Sequence, residues 1–171
     1  MVKKIGILTS GGDCAGLNAV IRAVTLRANE KYGWEVYGIR DGTLGLMKNP
    51  LDVVKLMPSD FDGNLMRMGG TFLGSNNKGR PFGERKINGK IVEVSDVVIS
   101  GFKNLKLDAL VGIGGDGSLK LLEKLTKKGN INFVGIPKTI DNDVEENELS
   151  IGYDTAVDVA TNALDMLQPT A

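Results

Sequence analysis

The sequence contains no histidine and a single cysteine, Cys14, among its 171 residues. One cysteine cannot form an internal disulfide, and without histidine the chain lacks the ligand sets of the usual zinc sites. Lysine plus arginine and aspartate plus glutamate both number 21, so the formal net charge is zero. Such a chain has no global basic surface for nucleic acid, although local phosphate sites are compatible with it.

Long apolar runs are also absent. No run approaches the ~18 residues of a membrane span, and the amino-terminal run is too short for a signal peptide and has no cleavage pattern. The 42% apolar and 25% charged residues are those of an ordinary folded domain, and the length does not require a second one. We expect a soluble, cytoplasmic chain with no nucleic-acid or membrane partner.

Glycine, in contrast, is abundant, with 23 of 171 residues, about 13% against an average near 7%. The glycines cluster beside predicted strands, at residues 11–12, 69–70 and 112–117. A glycine loop between a strand and a helix lets backbone N–H groups approach a phosphate, and the helix start adds positive potential. The doublet Gly11-Gly12 alone fits equally a tight turn that needs positive φ.

Apolar periodicity predicts three strand-then-helix units. The predicted strands are residues 4–9, 35–39, 109–113 and 132–136, and the predicted helices are 17–31, 95–104 with a Ser95-Asp96 cap, and 119–128 with Gly129 behind it. Asn88-Gly89 predicts a hairpin, and residues 43–57 read as irregular. This order predicts the α/β class, as a doubly wound, mostly parallel sheet with helices on both faces, a Rossmann-like three-layer sandwich.

The densest group of reactive side chains follows the last predicted strand, in the loop that contains Lys138, Thr139, Asp141 and Asp143. At the carboxyl edge of an open α/β sheet this is where ligands bind. Taken alone, the stretch fits a solvated acidic turn as well.

Two further loops carry charge. Asp116 lies among glycines after the third predicted strand, where an Asp is a turn residue or, beside bound phosphates, a ligand for Mg²⁺. Lys78 and Arg80 follow the glycines at 69–74, and they are either cations that offset charge on a transferring phosphoryl group or charges on a flexible exposed loop.

Together these loops describe a phosphoryl-transfer site, which needs phosphate-cradling amides, Mg²⁺ and a carboxylate that accepts a proton. Neither a Walker A motif nor the protein-kinase signature set is present. The chain therefore indicates another phosphate-binding design.

Four pieces, residues 7–19, 69–75, 114–118 and 137–143, resemble the amino-terminal half of the 6-phosphofructokinases in order and spacing over essentially the whole chain. The Gly-Gly-Asp-Gly piece alone also occurs in NAD kinases and diacylglycerol-type lipid kinases. The segment from Thr139 to Asp143 weakens that alternative. The resemblance implies that residues 1–171 are the domain that binds the nucleotide and its phosphates.

The resemblance also implies roles for individual residues. Asp141 would take the proton from the 1-hydroxyl of fructose 6-phosphate, with Thr139 and Lys138 beside the transferring phosphate, and Asp116 and Asp143 would be associated with Mg²⁺. The residues that would line the donor phosphates are Gly11, Gly12, Gly115, Asp116, Gly117 and Ser118. ATP-using members of the family place an arginine soon after the segment that corresponds to residues 69–75. In this chain Lys78 lies nearest that place and Arg80 follows it. A lysine supplies the charge but not the bidentate hydrogen bonds of an arginine.

The donor is ATP or pyrophosphate. In the family, Gly at position 117 goes with ATP because an acidic residue there would crowd the nucleotide, whereas Lys138 resembles the pyrophosphate-using group. The combination of Gly117 with Lys138 resembles a group within the family that has features of both types and mostly uses ATP. Steric room at Gly117 favours ATP as the donor.

The family's sugar-phosphate-binding half has no counterpart in this chain. The expectation is therefore a fragment of an ATP-dependent 6-phosphofructokinase that is inactive alone and forms a homotetramer at full length. The alternatives are a pyrophosphate-dependent enzyme and a nucleotide-binding module without turnover.

Overall fold

A computed structural model describes residues 2–76, 81–87 and 89–170. Its five-stranded sheet has the order β3-β2-β1-β6-β7, with parallel pairs except for β2 and β3. A separate antiparallel hairpin is formed by β4 and β5. The strands are β1 Lys4–Ser10, β2 Glu35–Ile39, β3 Val53–Leu56, β4 Glu84–Ile87, β5 Lys90–Glu93, β6 Ala109–Gly114 and β7 Asn132–Pro137.

Four α-helices connect or follow these strands within the described residues: α1 Leu17–Leu26, α2 Val94–Asn104, α3 Asp116–Gly129 and α4 Tyr153–Leu167. A π-helical turn, Arg27–Lys31, continues α1. None of the helices in these described ranges is long and apolar enough to cross a membrane.

Helices cover both faces of the sheet because the central strand presents apolar side chains to each side. Ile5 and Ile7 of β1 pack in one buried cluster with Leu17 and Ile21 of α1. Leu8, which follows Ile7 and lies on the opposite face in the alternation of the strand, packs in the other cluster, with residues of α2 and α3. The doubly wound α/β prediction is confirmed.

Three local predictions were wrong. The stretch predicted as irregular contains a 3₁₀ turn, Gly42–Leu46, and β3, a four-residue edge strand too short to give a clear periodicity. The α2 helix begins at Val94 with Glu93 at its N-cap position and without a side-chain cap. Its first N–H, that of Val94, donates instead to the Gly83 carbonyl oxygen, and Ser95 lies inside the helix with its Oγ bonded to the Glu93 carboxylate. Gly129 is still helical, and Asn130, with φ of 50°, holds the left-handed position after α3.

Helix α2 approaches the Gly42–Leu46 turn so closely that only glycine fits at Gly101. A Cβ there would overlap the Leu46 carbonyl oxygen and lie 3.0 Å from its carbonyl carbon. Because the neighbour is backbone, it cannot rotate away as a side chain would.

We expect Gly101→Ala to lower the free energy of unfolding by about 1–3 kcal/mol, the usual cost of overpacking, although alanine normally favours a helix interior by about 0.5–1 kcal/mol. Urea denaturation measures it. Gly117→Ala is the matched control, since a Cβ at that helical glycine meets nothing within 4 Å. A Gly101→Ala protein as stable as the wild type would contradict the close approach.

Candidate functional site

The ends of three neighbouring strands meet at one point of the sheet edge. Ser10 at the end of β1 pairs with Gly114 at the end of β6, and Gly114 pairs with Pro137 at the end of β7. All three strands are parallel, so the loops that follow them leave the sheet side by side. This register brings together segments that are distant in the sequence.

The loop after β1 is built around two glycines with positive φ, Gly11 at 86° and Gly16 at 88°. Ser75 Oγ donates a hydrogen bond of 2.9 Å to the Gly11 carbonyl oxygen, and the Lys138 ammonium donates to the carbonyl oxygen of Gly12. The loop is therefore held by side chains from two other segments. Gly11-Gly12 forms a tight turn and also lies at the candidate site, so the two interpretations of this doublet are compatible.

The first turn of α3, which begins directly after Gly115, lies against this first loop. A Cβ at Gly11 would lie 2.7 Å from Ser118 Oγ, and the positive φ of Gly11 itself favours glycine. Asp116 is the first residue of α3, which places the amino-terminal end of that helix at the same point. Such a helix end favours an anion.

These loops enclose a cleft of about 350 Å³, at the small end of the range for small-molecule sites. A Cβ at Gly12 or at Gly117 would meet nothing within 4 Å, so both glycines leave open space. The lining residues are Gly11, Gly12, Gly115, Asp116, Gly117, Ser118, Lys138, Thr139 and Asp143.

Lys138 is the cation of this cleft among the described residues, and it is 5% exposed. Its ammonium bonds a carbonyl oxygen, and none of the ion pairs in the described part of the chain includes it. A buried charge without a counter-ion is costly. The cleft therefore favours an anionic ligand.

Cys14, in the same loop as Gly12, is buried. Burial raises the pKa of its thiol, an effect that Lys138 opposes and Asp13 adds to. The group stays a neutral thiol at pH 7, which makes it a poor nucleophile.

The acidic loop after β7 is ordered by its own side chains. Thr139 Oγ1 donates to Asp143 Oδ1 at 3.0 Å and accepts from the Asp141 N–H at 3.0 Å. Asn142, with φ of 52°, donates to the Glu148 carbonyl oxygen and accepts from the Ser150 N–H. This network explains why the stretch holds a defined shape despite its exposure.

Asp141 differs from its neighbours in position. It is exposed and does not belong to the lining of the cleft, whereas Thr139 and Asp143 do. A carboxylate just outside a phosphate-sized cleft is accessible to a second substrate.

Asp116 is already engaged by a neighbour on its own helix. The Lys120 ammonium lies 2.9 Å from Asp116 Oδ2. The pKa of Lys120 is raised by this hydrogen bond and, to a smaller extent, by the negative charge of Glu145. Lys120 was not among the residues predicted from the sequence, although its four-residue spacing from Asp116 would pair the two side chains on a helix that includes both.

The segment around residues 70–75 is fastened to the first loop. Thr9 Oγ1 donates to the Gly74 carbonyl oxygen at 2.7 Å, and buried Asn18 accepts from the Phe72 N–H and donates to the Leu65 and Met68 carbonyl oxygens. Asn18 and Ser75 thus position the loops, a role that sequence reasoning did not assign. Lys78 and Arg80 lie outside the described residues.

A divalent cation is compatible with the donors in the cleft. Asp116 and Asp143 both line it, and Mg²⁺ is usually held by one or two carboxylates together with substrate phosphates. Within the described residues, no group of three or more His, Cys, Asp or Glu residues could hold a metal. A metal here would depend on bound phosphate.

A model of one protein family, described as Phosphofructokinase, matches residues 4–171. The chain is 56% identical over 170 residues to ATP-dependent 6-phosphofructokinase 1 of Synechocystis sp., covering 99% of this chain and 47% of that protein. It is 51% identical to ATP-dependent 6-phosphofructokinase 2 of Clostridium perfringens, covering 99% and 46%. The chain therefore spans about half the length of these relatives.

Solved structures agree with the sequence matches. The structure of phosphofructokinase from Saccharomyces cerevisiae superposes with a TM-score of 0.79 at 28% identity, covering 99% of this chain and 24% of that one. The topology and the sequence thus point to the same group of proteins.

Proposed function

Because this chain belongs to the phosphofructokinase family, we propose that residues 1–171 form the phosphate-donor-binding domain of an ATP-dependent 6-phosphofructokinase. The whole enzyme would transfer the terminal phosphate of ATP to the 1-hydroxyl of D-fructose 6-phosphate, giving fructose 1,6-bisphosphate in glycolysis. One observation carries the proposal: two glycine loops, the start of α3 and buried Lys138 enclose a single cleft beside an acidic loop.

The donor phosphates would occupy the cleft. Gly11, Gly12, Gly115 and Gly117 permit close approach of the backbone, and Ser118 adds a hydroxyl at the start of α3. Lys138 would offset the negative charge of the phosphates, and electrostatic stabilisation of this kind is the main contribution of proteins to phosphoryl transfer.

Asp116 and Asp143 would hold Mg²⁺ together with the donor phosphates. When bound, the cation neutralises charge that develops on the phosphoryl group. Thr139 Oγ1 donates a hydrogen bond to the Asp143 carboxylate and so fixes the position of that carboxylate in the cleft.

Asp141 would act as the general base. Its exposed carboxylate is free to accept the proton of a sugar hydroxyl as the oxygen attacks the terminal phosphorus. Thr139 holds the backbone of Asp141, which keeps the carboxylate near the cleft. A positioned base of this kind contributes about 10²- to 10⁴-fold to a rate.

Pyrophosphate is the second candidate donor, because a buried lysine at position 138 can balance either set of phosphates. The open space at Gly117 favours ATP, whose nucleoside must continue beyond the cleft. A nucleotide-binding module without turnover is the third candidate. At full length we expect a cytoplasmic homotetramer.

A coupled assay for ADP release with fructose 6-phosphate tests the proposal, on this chain and on a protein of the relatives' full length. We expect turnover at full length with ATP and none with this chain alone. Phosphorylation of NAD or diacylglycerol instead would contradict it, as would a strong preference for pyrophosphate. ATP binding without turnover at full length would favour the module.

We expect Lys138→Met to weaken binding of the donor by about tenfold, since charge-assisted hydrogen bonds contribute about 1.5–3 kcal/mol. Calorimetric titration with MgATP measures this effect. Loss of the hydrogen bond to the Gly12 carbonyl oxygen should lower stability by about 1–3 kcal/mol, so unfolding in urea is needed to show that the variant is folded under the conditions of the titration. Unchanged donor affinity would remove Lys138 from the phosphate site.

A further inference from the structure

Lys120 forms an ion pair with one carboxylate of the cleft, Asp116, at 2.9 Å. Lys127 and Glu123, also four residues apart on α3, form a pair of the same kind at 2.6 Å. Such pairs are ordinary on helices and stabilise them only slightly. The Lys127–Glu123 pair is therefore a reference for the same helical geometry away from the cleft.

The surroundings of the two pairs differ. Asp116 lines the cleft together with Asp143, whereas Glu123 does not. The negative charge of Glu145, on the loop after β7, also acts on Lys120. The Lys120 ammonium is therefore attracted by carboxylates on both segments that border the cleft, Asp116 on α3 and Glu145 on the acidic loop.

A lysine ammonium and a divalent cation compete for the same carboxylate oxygens, and their like charges repel each other. We propose that Lys120 is a positioning residue that holds Asp116 before a divalent cation binds and thereby lowers the affinity of the cleft for that cation. Lys120 releases Asp116 when the cation and the donor phosphates enter. This inference rests on the proposed function, because it takes Asp116 as a metal-binding carboxylate.

The exposure of the Lys120–Asp116 ion pair limits how far Lys120 can lower the affinity for the cation. Both side chains are partly exposed, at 66% for Lys120 and 38% for Asp116, so water and salt screen their attraction. The competition is therefore modest, and it weakens as ionic strength rises. It tunes the affinity for the cation without blocking the cleft.

Titration with Mn²⁺, a paramagnetic substitute for Mg²⁺, tests the inference by electron paramagnetic resonance in the presence of a fixed concentration of a non-hydrolysable ATP analogue, because the metal is expected to bind together with phosphates. Lys120→Met removes the charge and keeps an unbranched helix-forming side chain. We expect it to bind Mn²⁺ about two- to fivefold more tightly than the wild type, the range that exposed ion pairs span. Lys120→Arg, which keeps the charge, and the matched control Lys127→Met should both retain wild-type affinity.

The outcomes separate the inference from the proposed function. If Lys120→Met binds Mn²⁺ with equal or weaker affinity, while Asp116→Asn abolishes binding, the role of Lys120 is overturned and the metal role of Asp116 stands. If Asp116→Asn leaves Mn²⁺ binding unchanged, or if no variant binds Mn²⁺ in the presence of the ATP analogue, the metal role of Asp116 fails and the inference fails with it. A gain for Lys127→Met equal to that for Lys120→Met would also overturn it.

Discussion

Replacing Asp141 with Asn in a protein of the relatives' full length is expected to lower kcat by about 10²- to 10⁴-fold, the contribution of a positioned general base. The amide has nearly the shape of the carboxylate but cannot accept the proton of the sugar hydroxyl. The Asp141 carboxylate lies outside the donor cleft, so ATP binding should be unchanged. Steady-state kinetics and calorimetric titration with MgATP measure the two quantities.

The structure offers a control for this variant in the same loop. Glu148 is also exposed, and the loop uses its carbonyl oxygen rather than its carboxylate. Glu148→Gln removes one nearby negative charge and should leave kcat unchanged. A kcat for Asp141→Asn equal to that of Glu148→Gln would exclude Asp141 as the base.

The second large effect is expected at Gly117, where Asp should lower kcat/KM for ATP by about 100-fold. The added side chain would fill space that is open at present and that the nucleoside is expected to need, and overpacking costs about 1–3 kcal/mol. With pyrophosphate the loss should be much smaller, since no nucleoside has to pass the rim of the cleft. The measurement compares kcat/KM for both donors.

Gly117→Ala separates size from charge in that comparison. Its methyl group meets no protein atom within 4 Å, so folding should be unaffected and any loss with ATP reports contact with the nucleotide. An equal loss with both donors in Gly117→Asp would contradict the steric basis for preferring ATP.

The sequence was sufficient to predict the parallel strands and the order of the loops. Apolar runs predicted β1 and β6 because buried parallel strands carry strong apolar patterns, and they also predicted β2 and the edge strand β7, whose residues are exposed or only partly buried. The edge strand β3 escaped prediction, since an edge strand of four residues has no such pattern. The start of α2 was misplaced because the Val94 N–H and the Glu93 carboxylate both bond to the backbone of Gly83, a contact between segments that the local pattern does not encode.

The sequence pointed to residues that line the cleft, but not to their arrangement. The resemblance pointed to Asp116, Lys138, Thr139 and Asp143, and the structure places all four in one cleft. That Asp141 lies outside the cleft, and that Lys138 is buried with a carbonyl partner, follows from the pairing of β1, β6 and β7 rather than from any local pattern. The pair of Lys120 with Asp116 likewise appears only once α3 is known to begin at Asp116.

Transfer of labelled phosphate from [γ-³²P]ATP to fructose 6-phosphate tests the central claim most directly. With a protein of the relatives' full length and Mg²⁺, the account predicts that the label appears at the 1-position of fructose 1,6-bisphosphate and that Asp141→Asn suppresses this transfer. Label found only in inorganic phosphate, or none transferred to the sugar, would contradict it.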